Sequence, residues 1–206
     1  MFELDHLVIA CTNLEIGRIL MEDLFGVPMQ AGGQHPHFGT HNALMGWDDG
    51  LYLELIAIDK AAQKQTLGPR WFGLDHFDGA PTLINWICST ADLNRALAQS
   101  PQDAGQAILM ERGDLHWAIA VPEDGRLPLA GGWPTLIKWK NLFLHPKHRL
   151  KVQPCRLHRL TVYHPLAQEI ENNLSLLLDD KRIVFKTGPH PLLSAQFETP
   201  KGIITL

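Results

Sequence analysis

The sequence is poor in the features that commit a chain to export, to a membrane or to nucleic acid. Its three cysteines, Cys11, Cys88 and Cys155, are odd in number, widely spaced and without a CxxC pair, which argues against a disulfide framework and a cysteine zinc site. No apolar run approaches the roughly 18 residues of a membrane span. The N-terminal MFELDHLVIACTNLE carries acidic residues where a signal peptide needs Lys or Arg, so a reducing cytoplasm is the expected location. Basic runs are missing too. With 18 Lys and Arg against 22 Asp and Glu, a formal net charge of −4, neither nucleic acid nor a membrane surface is an expected partner. What remains, at 45% hydrophobic and 19% charged residues, is the composition of a globular chain. At this length it buries about 70% of its unfolded surface without covalent staples.

The first informative stretch is LDHLVIACTNLEIGRILMEDLFG, where Leu4, His6, Val8 and Ala10 alternate with Asp5, Leu7 and Ile9 before the period changes. Such a pattern predicts a buried strand passing into a helix. Thr12 and Glu15 have the spacing of a capping box, Ile16, Ile19, Leu20 and Leu24 recur at helical spacing, and Gly26 and Pro28 end the run. After the link QAGGQHPHFGTH, with room for one more short strand, a strand is predicted at 42–47. The turn Asp48-Asp49-Gly50 then leads to a return strand at 51–58.

That order recurs. HLVIACTNL from His6 aligns without gaps with NWICSTADL from Asn85 and with HRLTVYHPL from His158, and in each a strand leads into a helix start. Ser89 and Asp92 repeat the capping box, and Pro165 occupies a favoured first helical position. Strands are predicted at 107–111, 116–121 and 134–139 in the second segment and at 183–186, 193–198 and 203–206 in the third. The stretches 59–81 and 141–154 are connections. The first contains Pro69-Arg70-Trp71-Phe72-Gly73, whose aromatics predict packing over a core end or contact with a ligand.

His6 and Glu54 both stand mid-strand among apolar residues. An ionised carboxylate placed there costs several kcal/mol unless it is paired, hydrogen-bonded or bound to a metal, so Glu54 requires a partner. Imidazole nitrogen with carboxylate oxygen suits a divalent Zn, Mn, Fe, Co or Ni ion, whereas His6 alone reads first as a core histidine bonded to backbone. His41, beside Thr40 and Asn42 at a strand start, is placed to project toward a site mouth. Trp86 and Tyr163 read as core, His164 as a cap or surface residue, and the three thiols as buried and inert.

The run Asp5-His6-Leu-Val-Ile-Ala with Asn13-Leu14-Glu15, then Leu24-Phe25-Gly26, then Gly50-Leu-Tyr-Leu-Glu54-Leu, resembles the first module of the vicinal oxygen chelate superfamily. That superfamily includes glyoxalase I, extradiol dioxygenases and fosfomycin-resistance proteins. More narrowly, His35-Pro36, Gly39-Thr40-His41-Asn42-Ala43-Leu44 and Pro69-Arg70-Trp71 are similar to its glyoxalase-like domain branch.

The resemblance implies an α+β fold of repeated βαβββ modules, two full and a third related βαβ-β unit, forming curved mixed sheets around a cup. One domain over 1–206 is expected, with modules at 3–58, 82–140 and 155–206. First and last strands of a module would lie side by side, making His6 and Glu54 neighbours. The family's metal site takes one such His and Glu pair from each of two modules. The second module here has Asn85 and Ile137 at those positions. The third keeps His158, so a facing first and third module would give His6, His158 and Glu54 as ligands. A facing first and second module would leave His6 and Glu54, with His41 as a possible addition.

Two functions follow from the resemblance. One is a metal-dependent enzyme of lyase, isomerase or dioxygenase type, in which the ion chelates oxygens of a small metabolite. There Glu54 is catalytic, and His41, Asn42, Arg70 and Trp71 contact substrate. The other is a metal-free binding or sequestering protein. A spare third sheet would leave a homodimer open.

Overall fold

The computed structural model describes residues 1–62 and 68–206; positions 63–67 of the expected connection at 59–81 lie outside the described residues. The first unit runs β1 (Phe2–Ala10), α1 (Leu14–Phe25), β2 (Gln30–His35), β3 (Thr40–Trp47) and β4 (Tyr52–Ile58). The second runs β5 (Thr82–Thr90), α2 (Leu93–Ala98), β6 (Gln106–Arg112), β7 (Leu115–Val121) and β8 (Thr135–Trp139). In each, the last strand returns parallel beside the first, β4 on β1 and β8 on β5. β1 and β5 join antiparallel, giving one path β2-β3-β4-β1-β5-β8-β7-β6, with β9 (Val152–Gln153) added to β3. The end strands β2 and β6 approach each other, so the sheet curls around a concave face. Units one and two therefore form the cup.

The third unit comprises β10 (Arg156–His164), α3 (Ala167–Leu174), β11 (Ile183–Thr187), β12 (Leu192–Thr199) and β13 (Gly202–Thr205), in a separate sheet ordered β11-β10-β12-β13. Here β11 pairs parallel directly with β10 through the helical crossover, as a βαβ unit does. First and last strands are consequently not neighbours, and the recurrence of a strand leading into a helix does not extend to the pairing. Leu157, Leu160, Val162 and Phe197 of this sheet join Phe25, Trp47 and Trp86 in one core cluster on the convex side. Among the described residues no helix is long and apolar enough to cross a membrane.

The inward face of α1 differs from its apolar pattern. Gly17, Met21 and Phe25 are buried, whereas Ile16, Ile19 and Leu20 are 59%, 57% and 48% exposed. The reason is local. A Cβ on Gly17 would sit 2.7 Å from Cys11 Sγ, so only glycine lets the helix approach the strand end, and this contact sets its rotation. The caps shift as well. Asn13, not Thr12, accepts the Ile16 N–H at 3.0 Å, and Asp92 itself caps α2. In the third unit Pro165 lies ahead of the helix, while His164 Nδ1 accepts the Leu166 N–H.

On the concave side Val8, Ala10, Ile56, Ile87, Ile119 and Ile137 make a second cluster, covered by Phe38, Trp71, Phe72 and Leu74. Trp71 stacks on Phe38 with ring centroids 4.4 Å apart, so the aromatic stretch of the connection does pack over the sheet. Phe72 is held at φ 59°, a left-handed conformation costing about 1–2 kcal/mol that its burial offsets.

Candidate functional site

The register of β1 against β5 slips between Leu4 and His6. Asp5 is thus an extra residue in the strand, a β-bulge. Leu4 and Leu7 face the convex core, and Asp5 and His6 stand together on the cup side, where plain alternation would put Leu4 and His6. The slip recurs across the repeat, passing over Ile84 in β5 and His158 in β10.

From that bulge runs a buried chain of polar groups. His6 Nδ1 is 2.7 Å from Asp5 Oδ1, and its Nε2 is 3.5 Å from Glu54 Oε2 on β4. Glu54 Oε1 accepts from Asn42 Nδ2 at 2.6 Å. Behind His6, Asp5 Oδ2 accepts from Trp139 Nε1 at 3.0 Å and from His145 Nε2 at 2.9 Å. His145 Nδ1 accepts the Lys147 N–H, which leaves its Nε2 to carry the proton. Tyr52 stacks on the His6 ring at 4.3 Å. From the second unit, Arg112 NH1 lies 3.3 Å from His35 Nε2 and 3.4 Å from Asn42 Oδ1. His6, Glu54, Asn42, His35, Arg112 and Trp71 line one cavity of about 40 Å³.

Burial alone would strip the proton from His6, but hydrogen bonds to Asp5 and Glu54, and then their charges, raise its pKa to about 9. Burial also opposes the charge on Asp5; hydrogen bonds from His145 and His6 outweigh it and hold the carboxyl well below the usual range. Glu54 is lowered in the same way, burial being overcome chiefly by the hydrogen bond and charge of His6. Burial takes His35 down to about 4 and, with the nearby carboxylates, keeps the Tyr52 phenol protonated. At neutral pH the site is a carboxylate, an imidazolium and a second carboxylate in series, beside a neutral His35.

The expected site residues divide. The structure brings His6, Glu54, Asn42 and Trp71 together. His41 is not with them: it pairs across from Ala57, which belongs to the convex core, while its neighbour Asn42 takes the cup side. Arg70 turns its guanidinium to Asp75 at 2.5 Å. His158 is exposed on the second sheet, 3.9 Å from Glu198, because β10 lies outside the cup.

These placements bear on a metal. His6 Nε2 and Glu54 Oε2 have a separation suited to two ligands of one ion at ~2.0–2.2 Å each, and a carboxylate behind a metal-bound histidine is a familiar support. Among the described residues a third ligand is missing. Asn85, at the second unit's histidine position, donates to Thr135 Oγ1, and Ile137 is apolar. Among the described residues no group of three or more His, Cys, Asp or Glu side chains is placed to hold an ion. The residues present do not fit the two-module metal centre.

Asp5, Arg112 and His145 were not singled out from the sequence as functional, and His35, which reads there as a loop histidine of the solvated kind, is instead buried at the end of β2. Asp5 had a signal in its place directly before His6. Arg112 and His145 had none, since an edge strand and a connection bring them in.

No curated protein matches the sequence. Among solved structures, a hypothetical protein from Staphylococcus aureus is similar over 93% of this chain and 88% of its own, with a TM-score of 0.62 at 14% identity, a likeness of fold. A methylmalonyl-CoA epimerase in complex with methylmalonyl-CoA and NH4+ (16% identity, TM-score 0.45) covers 69% of this chain and 97% of its own. The methylmalonyl-CoA epimerase from Mycobacterium tuberculosis (17%, TM-score 0.41) covers 66% and 85%. The model of the glyoxalase-like domain family matches residues 4–178, and the chain belongs to that family.

Proposed function

We propose that the protein takes a small carbonyl metabolite into the cup and moves a proton on it directly, with His6 and Glu54 serving in place of a metal centre. The observation that carries this reading is the 3.5 Å approach of an imidazolium nitrogen to a carboxylate oxygen in one cavity, each oriented from behind, by Asp5 and by Asn42. Both groups are in the right state at neutral pH: Nε2 carries a proton to donate, and Glu54 is ionised and able to accept one.

With the substrate carbonyl oxygen against His6 Nε2–H and a neighbouring C–H toward Glu54 Oε2, the carboxylate takes the carbon-bound proton. The C–H electron pair moves into the C–C bond as the C=O pair moves to oxygen, which receives the His6 proton, giving an enol. Return of the protons completes an isomerisation or epimerisation. Asp5 stabilises the imidazolium throughout, and the apolar wall excludes water.

The test follows solvent deuterium entering hydroxyacetone and pyruvate by proton NMR, with the protein before and after dialysis against EDTA, and with Glu54→Gln and His6→Gln. Exchange above the buffer rate that survives EDTA and disappears in both variants is the expected result. Exchange by neither compound leaves a binding protein without chemistry. Metal content measured in parallel on tag-free protein provides the second arm. Near one equivalent of a transition metal, lost in Glu54→Ala, overturns the metal-free reading.

A further inference from the structure

Arg112 is the cation of the cup that the proton-transfer reading leaves without a task. It belongs to β6, the outermost strand of the second unit, and its guanidinium crosses to the first unit's β2 and β3. Its partners there are uncharged: His35 is neutral, its Nδ1 at 3.1 Å from Thr40 Oγ1, and Asn42 is an amide. Among the described residues Arg112 makes no ion pair with a carboxylate, and the two long contacts of NH1 leave most of its five N–H donors unspent.

Two features show that this crossing is built. A Cβ on Gly33 would lie 2.5 Å from Arg112 Cδ, and one on Gly32 would lie 2.0 Å from Asn42 Oδ1, so Gly33 leaves the notch through which the Arg112 side chain passes and Gly32 the room for the Asn42 amide. The register of β2 against β3 slips there, between Ala31 and Gln34. Asn42 then bridges the two charges. Its Nδ2 donates to Glu54 Oε1, while its Oδ1 accepts from Gly33 N–H and Arg112 NH1. An amide in this place keeps Arg112 from closing on Glu54 as a salt bridge, which would quench cation and base together.

We propose that Arg112 anchors the ligand's carboxylate, and that the site takes a small 2-oxo or 2-hydroxy carboxylate whose second oxygen faces His6. The proposal rests on the reading of His6 and Glu54 as the reacting pair. Size bears on it: a cavity of about 40 Å³ admits only a few water-sized groups at ~10–15 Å³ each, which favours a small carboxylate over a bulkier phosphate ester. Trp71 Nε1, buried in the same wall and without a hydrogen-bond partner among the described residues, is a further donor for a ligand oxygen. The second unit, which lacks the family's metal ligands, thus supplies positive charge to the cup through an arginine.

The test is calorimetric titration of the full chain with oxalate and, separately, with neutral hydroxyacetone. Oxalate should bind, and Arg112→Gln should weaken it by about 10-fold or more, the worth of a charge-assisted pair. Gly33→Ala, which keeps every donor but fills the notch, should weaken it comparably, while hydroxyacetone binding changes little in either. Glu54→Gln should lose deuterium exchange yet keep oxalate, so failure of the reacting pair and failure of the anchor are read separately. Oxalate affinity unchanged within 2-fold in both folded Arg112→Gln and Gly33→Ala, or wild-type protein that binds hydroxyacetone but not oxalate, overturns the proposal.

Discussion

Replacing Asp5 by Asn is the most revealing single perturbation of this protein, because it removes one charge and changes the shape of nothing. Holding the His6 imidazole at about 9, against an ordinary 6.5, corresponds to about 3 kcal/mol in favour of its protonated form. Since burial acts in the opposite direction, the two carboxylates together supply more than that. Asp5 at 2.7 Å contributes the larger part and Glu54 at 3.5 Å the smaller. In Asp5→Asn the His6 pKa should fall to about 8 or lower, followed by its ring-proton NMR shifts across a pH series. Stability should fall as well. The single amide oxygen can serve His6 Nδ1–H or the pair formed by Trp139 Nε1–H and His145 Nε2–H, but not both. One buried donor then faces an NH2 group, at a cost of about 1–3 kcal/mol, or roughly 2–10 °C in Tm for a chain of this size. A His6 pKa that stays near 9 in the folded variant would refute the assignment of Asp5 as the chief support of the imidazolium.

Three further outcomes are expected. His6, raised in the fold, contributes its full stabilisation below 6.5 and loses it as pH rises to about 9; His35, lowered to about 4, makes stability fall as pH drops from 6.5 toward 4. Tm should therefore peak near pH 6.5, and a Tm that climbs from pH 7 to 9 would contradict a charged His6 beside a neutral His35. On α1, Met21→Ala should cost about 2–4 kcal/mol in urea unfolding and Ile19→Ala under about 0.5, the reverse of what the helix's apolar pattern suggests. Cys11, Cys88 and Cys155 are all buried, with burial pushing Cys11 and Cys155 up to about 11, so native protein should consume no thiol reagent until it unfolds.

Strand positions and the repeat were legible in the sequence because each rests on a local pattern; the burial cost of a carboxylate showed that Glu54 needs a partner, and the family resemblance placed His6 beside it. The rotation of α1 was not. Apolarity pointed to Ile16 and Ile19, while the deciding contact, Gly17 against Cys11, is a matter of missing volume rather than of hydrophobicity. The third unit shares the strand-to-helix signature with the others, yet pairing order is fixed by tertiary contacts that HRLTVYHPL does not encode, so His158 was placed in a cup it does not reach. Bulges escape an alternation count by their nature, and Asp5 entered the site through one. Arg112 and His145 arrive from far along the chain, on an edge strand and a connection whose positions no periodicity reports.

The order of strands in the large sheet assigns different lifetimes to the parts of the site. Glu54, Asp5 and His6 lie on β4 and β1, which are flanked on both sides by paired strands, whereas Arg112 lies on the terminal strand β6 and His145 on the link that follows β8. Amides in the centre of such a sheet exchange with solvent only on global unfolding; those at its margin open in cheaper local fluctuations. Local opening at the sheet margin should then release the arginine and the second histidine while the imidazolium–carboxylate pair is still intact. Mild denaturant or heat should bring on that opening first, separating loss of recognition from loss of the reacting pair in a single melting curve.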